Sequence, residues 1–142
     1  MKFDRRLTDE IYTSDTVRLG KNAFQAMRET IYHNGGVGTI TGYYDAELSI
    51  LSVSDLLLHN LNHSYASLME QTKGSLKNLF YKEDAAFLDN ARFRQLQGEG
   101  EGRILTADGS PVYVRLYKKD AVDTDGTPIW IMSVQMNWAY EN

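Results

Sequence analysis

Apolar side chains recur at Leu7, Ile11, Val17, Phe24, Met27 and Ile31 in a stretch free of proline, a spacing that lines them along one side of helical segments. The polar run from Thr13 to Thr16 interrupts that pattern and supplies capping oxygens, which predicts two helices within residues 7–33. Asn34-Gly35-Gly36 stops the second one, because asparagine and glycine accept the left-handed conformation that ends helices. From Val37 the texture changes to β-branched and aromatic residues. GTITGYYD and LSILSV read as strands of a hairpin joined by an Asp45-Ala46-Glu47 turn.

Between Asp55 and Gln97 the texture turns helical and short-segmented, with expected caps at Asp55, at Ser64 or Ser67, and at Glu83 or Asp84; the longest of these helices is predicted over residues 84–97. Three strands follow, GRILTA, PVYVRLYKKDAV and TPIWIMSVQMNW, separated by Asp108-Gly109 and Asp125-Gly126 turns. Two strands, several short helices and three further strands make an α+β domain built on one five-stranded antiparallel sheet. In the last strand, alternation sends Trp130, Met132, Val134, Met136 and Trp138 to one face and Ile129 and Ile131 to the other. A sheet with two apolar faces needs two covers. The stripe of Val17, Phe24, Met27 and Ile31 either supplies the second cover or meets a second copy of the chain in a dimer.

Composition narrows the function classes. The chain has 142 residues, 42% of them hydrophobic and 24% charged, enough for a single self-supporting core. Its formal net charge of -4, with both signs interspersed, offers no electrostatic track for nucleic acid. The absence of cysteine removes disulfides, thiolate chemistry and cysteine-ligated metals. Charges fill the N-terminus where a secretory signal would carry its apolar core, and no apolar run is long enough to span a bilayer, so a cytoplasmic domain without direct membrane contact is expected.

Catalytic and metal motifs fare poorly. His59 and His63 stand four apart, as zinc ligands on a helix do, with Asp55 four residues earlier. Position 60 is Asn rather than the glutamate of a zinc peptidase helix, and no later histidine completes a ligand set. Gly98-Glu99-Gly100-Glu101-Gly102 carries two carboxylates and precedes a strand, which suits a flexible helix-to-strand loop rather than a phosphate cradle. The pairs Asp45/Glu47 and Glu83/Asp84 fit turns and helix starts better than a general acid and base. No serine lies in a nucleophile elbow, so no catalytic residue is assigned.

YYDAELSILSVSDLLLHNLNHS, KGSLKNLFYKEDAAFL and GRILTADGSPVYVRLYKKDAVDTDGTPIWIMSVQMN follow one another in the register of a known family. Their opening hairpin, small-helix segment and two turn-linked closing strand pairs closely resemble the PAS sensory-box domains over residues 37–138, with residues 1–36 similar to the helical cap that often precedes them. The resemblance implies a PAS sensor domain over residues 37–142 with short helices on one sheet face. It also implies a non-catalytic signalling module that binds a small ligand or partner and regulates an attached histidine kinase, diguanylate cyclase or phosphodiesterase, commonly as a homodimer in bacteria. Leu61, Leu68, Phe80, Phe87, Leu116 and Met132 are its candidate pocket-lining residues. Haem held by a long-helix histidine is disfavoured because residues 84–97 contain none, and covalent flavin because the chain has no cysteine. A ligand-free dimerisation or docking domain is the alternative.

Overall fold

The computed structural model describes residues 19–35, 38–85, 88 and 90–136. The first of the two expected helices, together with Val17, Phe87 and Trp138, lies outside the described residues. Helix α1 (Lys21–Asn34) leads into strands β1 (Gly38–Tyr43) and β2 (Ile50–Val53). Among the described residues four helices follow, α2 (Asp55–Asn60), α3 (Tyr65–Thr72), α4 (Lys82–Ala85) and α5 (Asn90–Gln95), with a 3₁₀ turn at Leu76–Asn78 between α3 and α4. Strands β3 (Gly98–Leu105), β4 (Pro111–Val122) and β5 (Pro128–Met136) close the chain. All neighbours are antiparallel, in the order β2-β1-β5-β4-β3.

The sheet is buried on both sides, as its last strand predicts. Trp130, Met132 and Val134 join Ile40, Val112, Val114 and Leu116 in the larger core, which α2, α3 and their neighbours cover. Ile129 and Ile131 face α1 and pack with Leu19, Ala23, Ala26, Met27 and Leu51 in a second, smaller core. Buried α1 positions Ala23, Ala26, Met27, Thr30 and Asn34 follow helical spacing. The helix ends where Gly35 adopts φ 75 and donates its N–H to the Ile31 carbonyl at 2.8 Å. Asn34 pins that end to the sheet, its Nδ2 donating to the carbonyls of Arg115 at 3.0 Å and Ser133 at 3.1 Å. At the other end Asn22 Oδ1 accepts the Val122 N–H at 2.9 Å.

Three local expectations are corrected. No single helix runs through residues 84–97: Leu88, between α4 and α5, is not helical and donates its N–H to the Ala85 carbonyl at 2.9 Å, and among the described residues of 55–97 the longest helix is α3. Asp84 serves the sheet instead, its Oδ2 accepting the Arg103 backbone N–H at 2.8 Å. The expected glycine-rich loop at 98–102 is the first half of β3, in register with Tyr117 and Leu116 of β4 across Glu99 and Gly100. The cap of α2 is Ser54, whose Oγ accepts the Leu57 N–H, while Asp55 occupies the first turn. Ser64 caps α3 in a reciprocal box with Ser67.

Candidate functional site

Alternation along β3 builds one wall of a cavity. Gly100 and Gly102 pair with Leu116 and Val114, which point into the larger core, so the glycines share that inner face while Glu99 and Glu101 are carried on the outer one. An inner face without side chains leaves a cleft of about 530 Å³ between β3 and α5. Phe80, Leu88, Phe93, Leu96 and Leu116 make its apolar walls, and Asp84, Arg92, Glu101, Arg103 and Tyr113 its polar margin. A Cβ placed on Gly100 would meet Leu96 at an ordinary 3.8 Å, whereas one on Gly102 would stand 3.1 Å from the Phe80 ring. The wall therefore has room for a side chain at position 100 and little at 102.

At the margin, Arg103 grips Asp84 with Nε to Oδ2 at 3.1 Å and Nη2 to Oδ1 at 2.9 Å. Its guanidinium lies 4.3 Å from the Tyr81 ring centroid and 5.7 Å from that of Tyr113. Those bonds from Arg103 hold the Asp84 carboxyl below the usual carboxylate range and raise the guanidinium further. Arg92 and Arg103 at this margin are matched by the carboxylates of Asp84 and Glu101, and Glu83 Oε2 stands 3.5 Å from Arg103 Nη2.

Behind the α5 wall lies a cluster that no sequence motif announces. Lys118 continues the inward register of Val112, Val114 and Leu116, and its side chain is fully enclosed. Nζ donates to the Leu96 carbonyl at 2.9 Å and to Asp120 Oδ1 at 3.0 Å. The ammonium also rests 5.1 Å from the Tyr44 ring centroid and 5.0 Å from that of Phe93. Asp120 accepts from the Tyr44 hydroxyl as well, and from Gln97 Nε2 at 2.8 Å. Burial lowers the Lys118 pKa against the opposing pull of Asp120, and burial together with the Asp120 bond raises that of Tyr44. Burial pushes the Asp120 carboxyl up, but the bonds from Tyr44, Lys118 and Gln97 outweigh it and hold it low.

The candidate residues separate into two groups. Phe80 and Leu116 line the cleft. Leu61, Leu68 and Met132 are each no more than 1% exposed and fill the larger core; Phe87 lies outside the described residues. On the outer face, Met27 is 2% exposed against the sheet, with Phe24 and Ile31 half-buried beside it. His59 is exposed in the last turn of α2, while His63 is buried with Nδ1 2.7 Å from Ser67 Oγ, so the two imidazoles do not converge. Among the described residues no three acidic or histidine side chains gather as a metal site, and no helix is long and apolar enough to cross a membrane. Leu88, Phe93 and Leu96 escape sequence reading because the helical pattern of 84–97 does not say which residues turn towards β3. A lysine in the inward register of an apolar strand is the signal that marks Lys118.

No family model matches the sequence, and no curated protein does. Solved structures match its shape. The PAS domain of an HTR-like protein from Haloarcula marismortui aligns over 80% of this chain and 92% of its own, with 15% identity and a TM-score of 0.57. A light-oxygen-voltage domain studied with a flavin analogue aligns over 77% and 82%, with 10% identity and a TM-score of 0.52. The photo-excited blue-light photoreceptor Vivid aligns over 70% and 77%, with 13% identity and a TM-score of 0.50. The strand order, the short helices between β2 and β3, and these likenesses agree: the chain has the fold of a PAS domain.

Proposed function

We propose that the chain is a non-catalytic sensor module that takes a small, flat, largely apolar and uncharged ligand into the cleft between β3 and α5, and passes its occupancy to an attached output domain. The carrying observation is the glycine wall: Gly100 leaves a face of β3 open opposite Phe93 and Leu96, in a cavity of about 530 Å³. That volume falls within the ordinary range of small-molecule pockets. Residues 37–142 act as the sensing part and residues 1–36 as the cap through which the signal leaves. A histidine kinase, diguanylate cyclase or phosphodiesterase is the kind of output such a cytoplasmic module serves. With no cysteine in the chain, a flavin in the cleft would be held without a cysteinyl bond.

Native mass spectrometry of the freshly purified chain and a thermal-shift screen with riboflavin and uncharged aromatic metabolites test this. A ligand that binds only the native state raises the melting temperature by mass action. Gly100→Leu, which fills the cleft from its open wall, is expected to abolish that rise while preserving the fold. A rise that survives Gly100→Leu unchanged would place the ligand elsewhere and end this reading.

The second reading, ligand-free docking as a homodimer, draws on Tyr32, which is 87% exposed on α1, and on half-buried Phe24 and Ile31. It predicts that Phe24→Asp converts a dimer into a folded monomer in sedimentation velocity. A chain that sediments as a monomer before the change removes this reading.

A further inference from the structure

We propose that Lys118 is a positioning residue that couples the cleft wall to the N-terminal helix, an inference that rests on the sensor reading above. A fully buried ammonium is weak evidence for stability, because removing a lysine head group from water carries a desolvation cost that its partners only roughly offset. A methionine of similar length would fill the space between Tyr44 and Phe93 without that cost. What the lysine adds is connection. One of its bonds ends on the Leu96 carbonyl, immediately after α5, and the other on Asp120 of β4.

Leu96 and Phe93 line the cleft, so anything that enters it pushes on the segment that Lys118 holds. Phe93 also stacks edge-on against Trp130, with ring centroids 5.5 Å apart, and so ties α5 to β5 by packing. Asp120 collects the polar side of the connection: Lys118, the Tyr44 hydroxyl and Gln97 Nε2 all donate to it. Arg94, 4.5 Å from the Tyr44 ring centroid, is the other cation facing this group, and it opposes the ammonium. Two residues beyond Asp120, the Val122 N–H donates to Asn22 at the start of α1. The bond from Lys118 to Leu96 is the discrete element of this chain of contacts, made or broken as α5 shifts, and a two-state element biased from both ends is what physical coupling requires.

The experiment needs no ligand. Gly100→Trp drives an indole against Leu96 from the cleft side, and hydrogen exchange at the Val122 amide reads the far end, in proteins carrying either Lys118 or Lys118→Met. With Lys118 present, the wedge is expected to speed Val122 exchange by about tenfold, the scale of a local opening. In Lys118→Met it should change exchange by less than about twofold. An unmoved Val122 amide in the Lys118 protein overturns the proposal, and so does an equal response in both backgrounds. If the methionine variant does not fold, Lys118→Leu replaces it, because it too removes the donor to the Leu96 carbonyl and puts an apolar side chain in the same enclosed position; the same loss of response is expected. If Gly100→Trp does not fold, Gly100→Leu is the wedge. Failure here leaves the thermal-shift result with wild-type chain untouched, so the coupling and the sensor reading fall separately.

Discussion

Burial has left one imidazole at a disadvantage. His63 is 9% exposed, its Nδ1 is held by Ser67 Oγ, and its buried Nε2 has no hydrogen-bond partner among the described residues. Burial therefore disfavours the imidazolium and lowers the pKa from 6.5. The unfolded chain takes up that proton first, so the contribution of neutral His63 is complete above pH 6.5 and is lost as the pH falls below it. Urea midpoints measured on either side of that pH should drop on the acid side, and the drop should shrink in His63→Gln. Gly42 is constrained by contact instead. A Cβ there would stand 2.2 Å from Trp130 Cζ2 and 2.3 Å from the Ser49 carbonyl, at the point where the β1–β2 register shifts. Gly42→Ala is expected to cost about 3 kcal/mol by chemical denaturation, the upper range of overpacking.

Among the elements, α1 has consequences for how a dimer is tested. Met27, a candidate interface residue, is spent on the sheet's outer face with Ile129 and Ile131. Met27→Asp would bury an unpaired carboxylate, and the expected outcome is a loss on the order of 4 kcal/mol in thermal or urea unfolding. A test of dimerisation therefore belongs to Phe24, which is half-buried at the margin of that core. The alternation of Trp130, Met132 and Val134 against Ile129 and Ile131 made the two-faced sheet and its helical cover legible from sequence. The split of residues 84–97 was not, because Phe93 and Leu96 keep a helical spacing even though Leu88 breaks the helix between α4 and α5. The same holds for β3: glycine and glutamate alternate with a strand's period, but glycine has low strand propensity, and only pairing with β4 reveals the strand.

Across the whole molecule, β3 is both a wall of the cleft and an end of the sheet. β3 is an edge strand, and the chain covers its rim through residues 79–81, whose bonds reach Arg103 and Leu105. The glycines that hollow out the interior alternate with Glu99 and Glu101, both exposed beside that rim. Like charges brought together when two such edges approach repel, and charged edge residues are a common defence against strand addition. Residues 98–102 lie outside the bonds that 79–81 make with the strand, and the two glutamates stand on that part of the edge. Replacing both by valine should make the light scattering of the protein grow with concentration, which static light scattering on a dilution series checks.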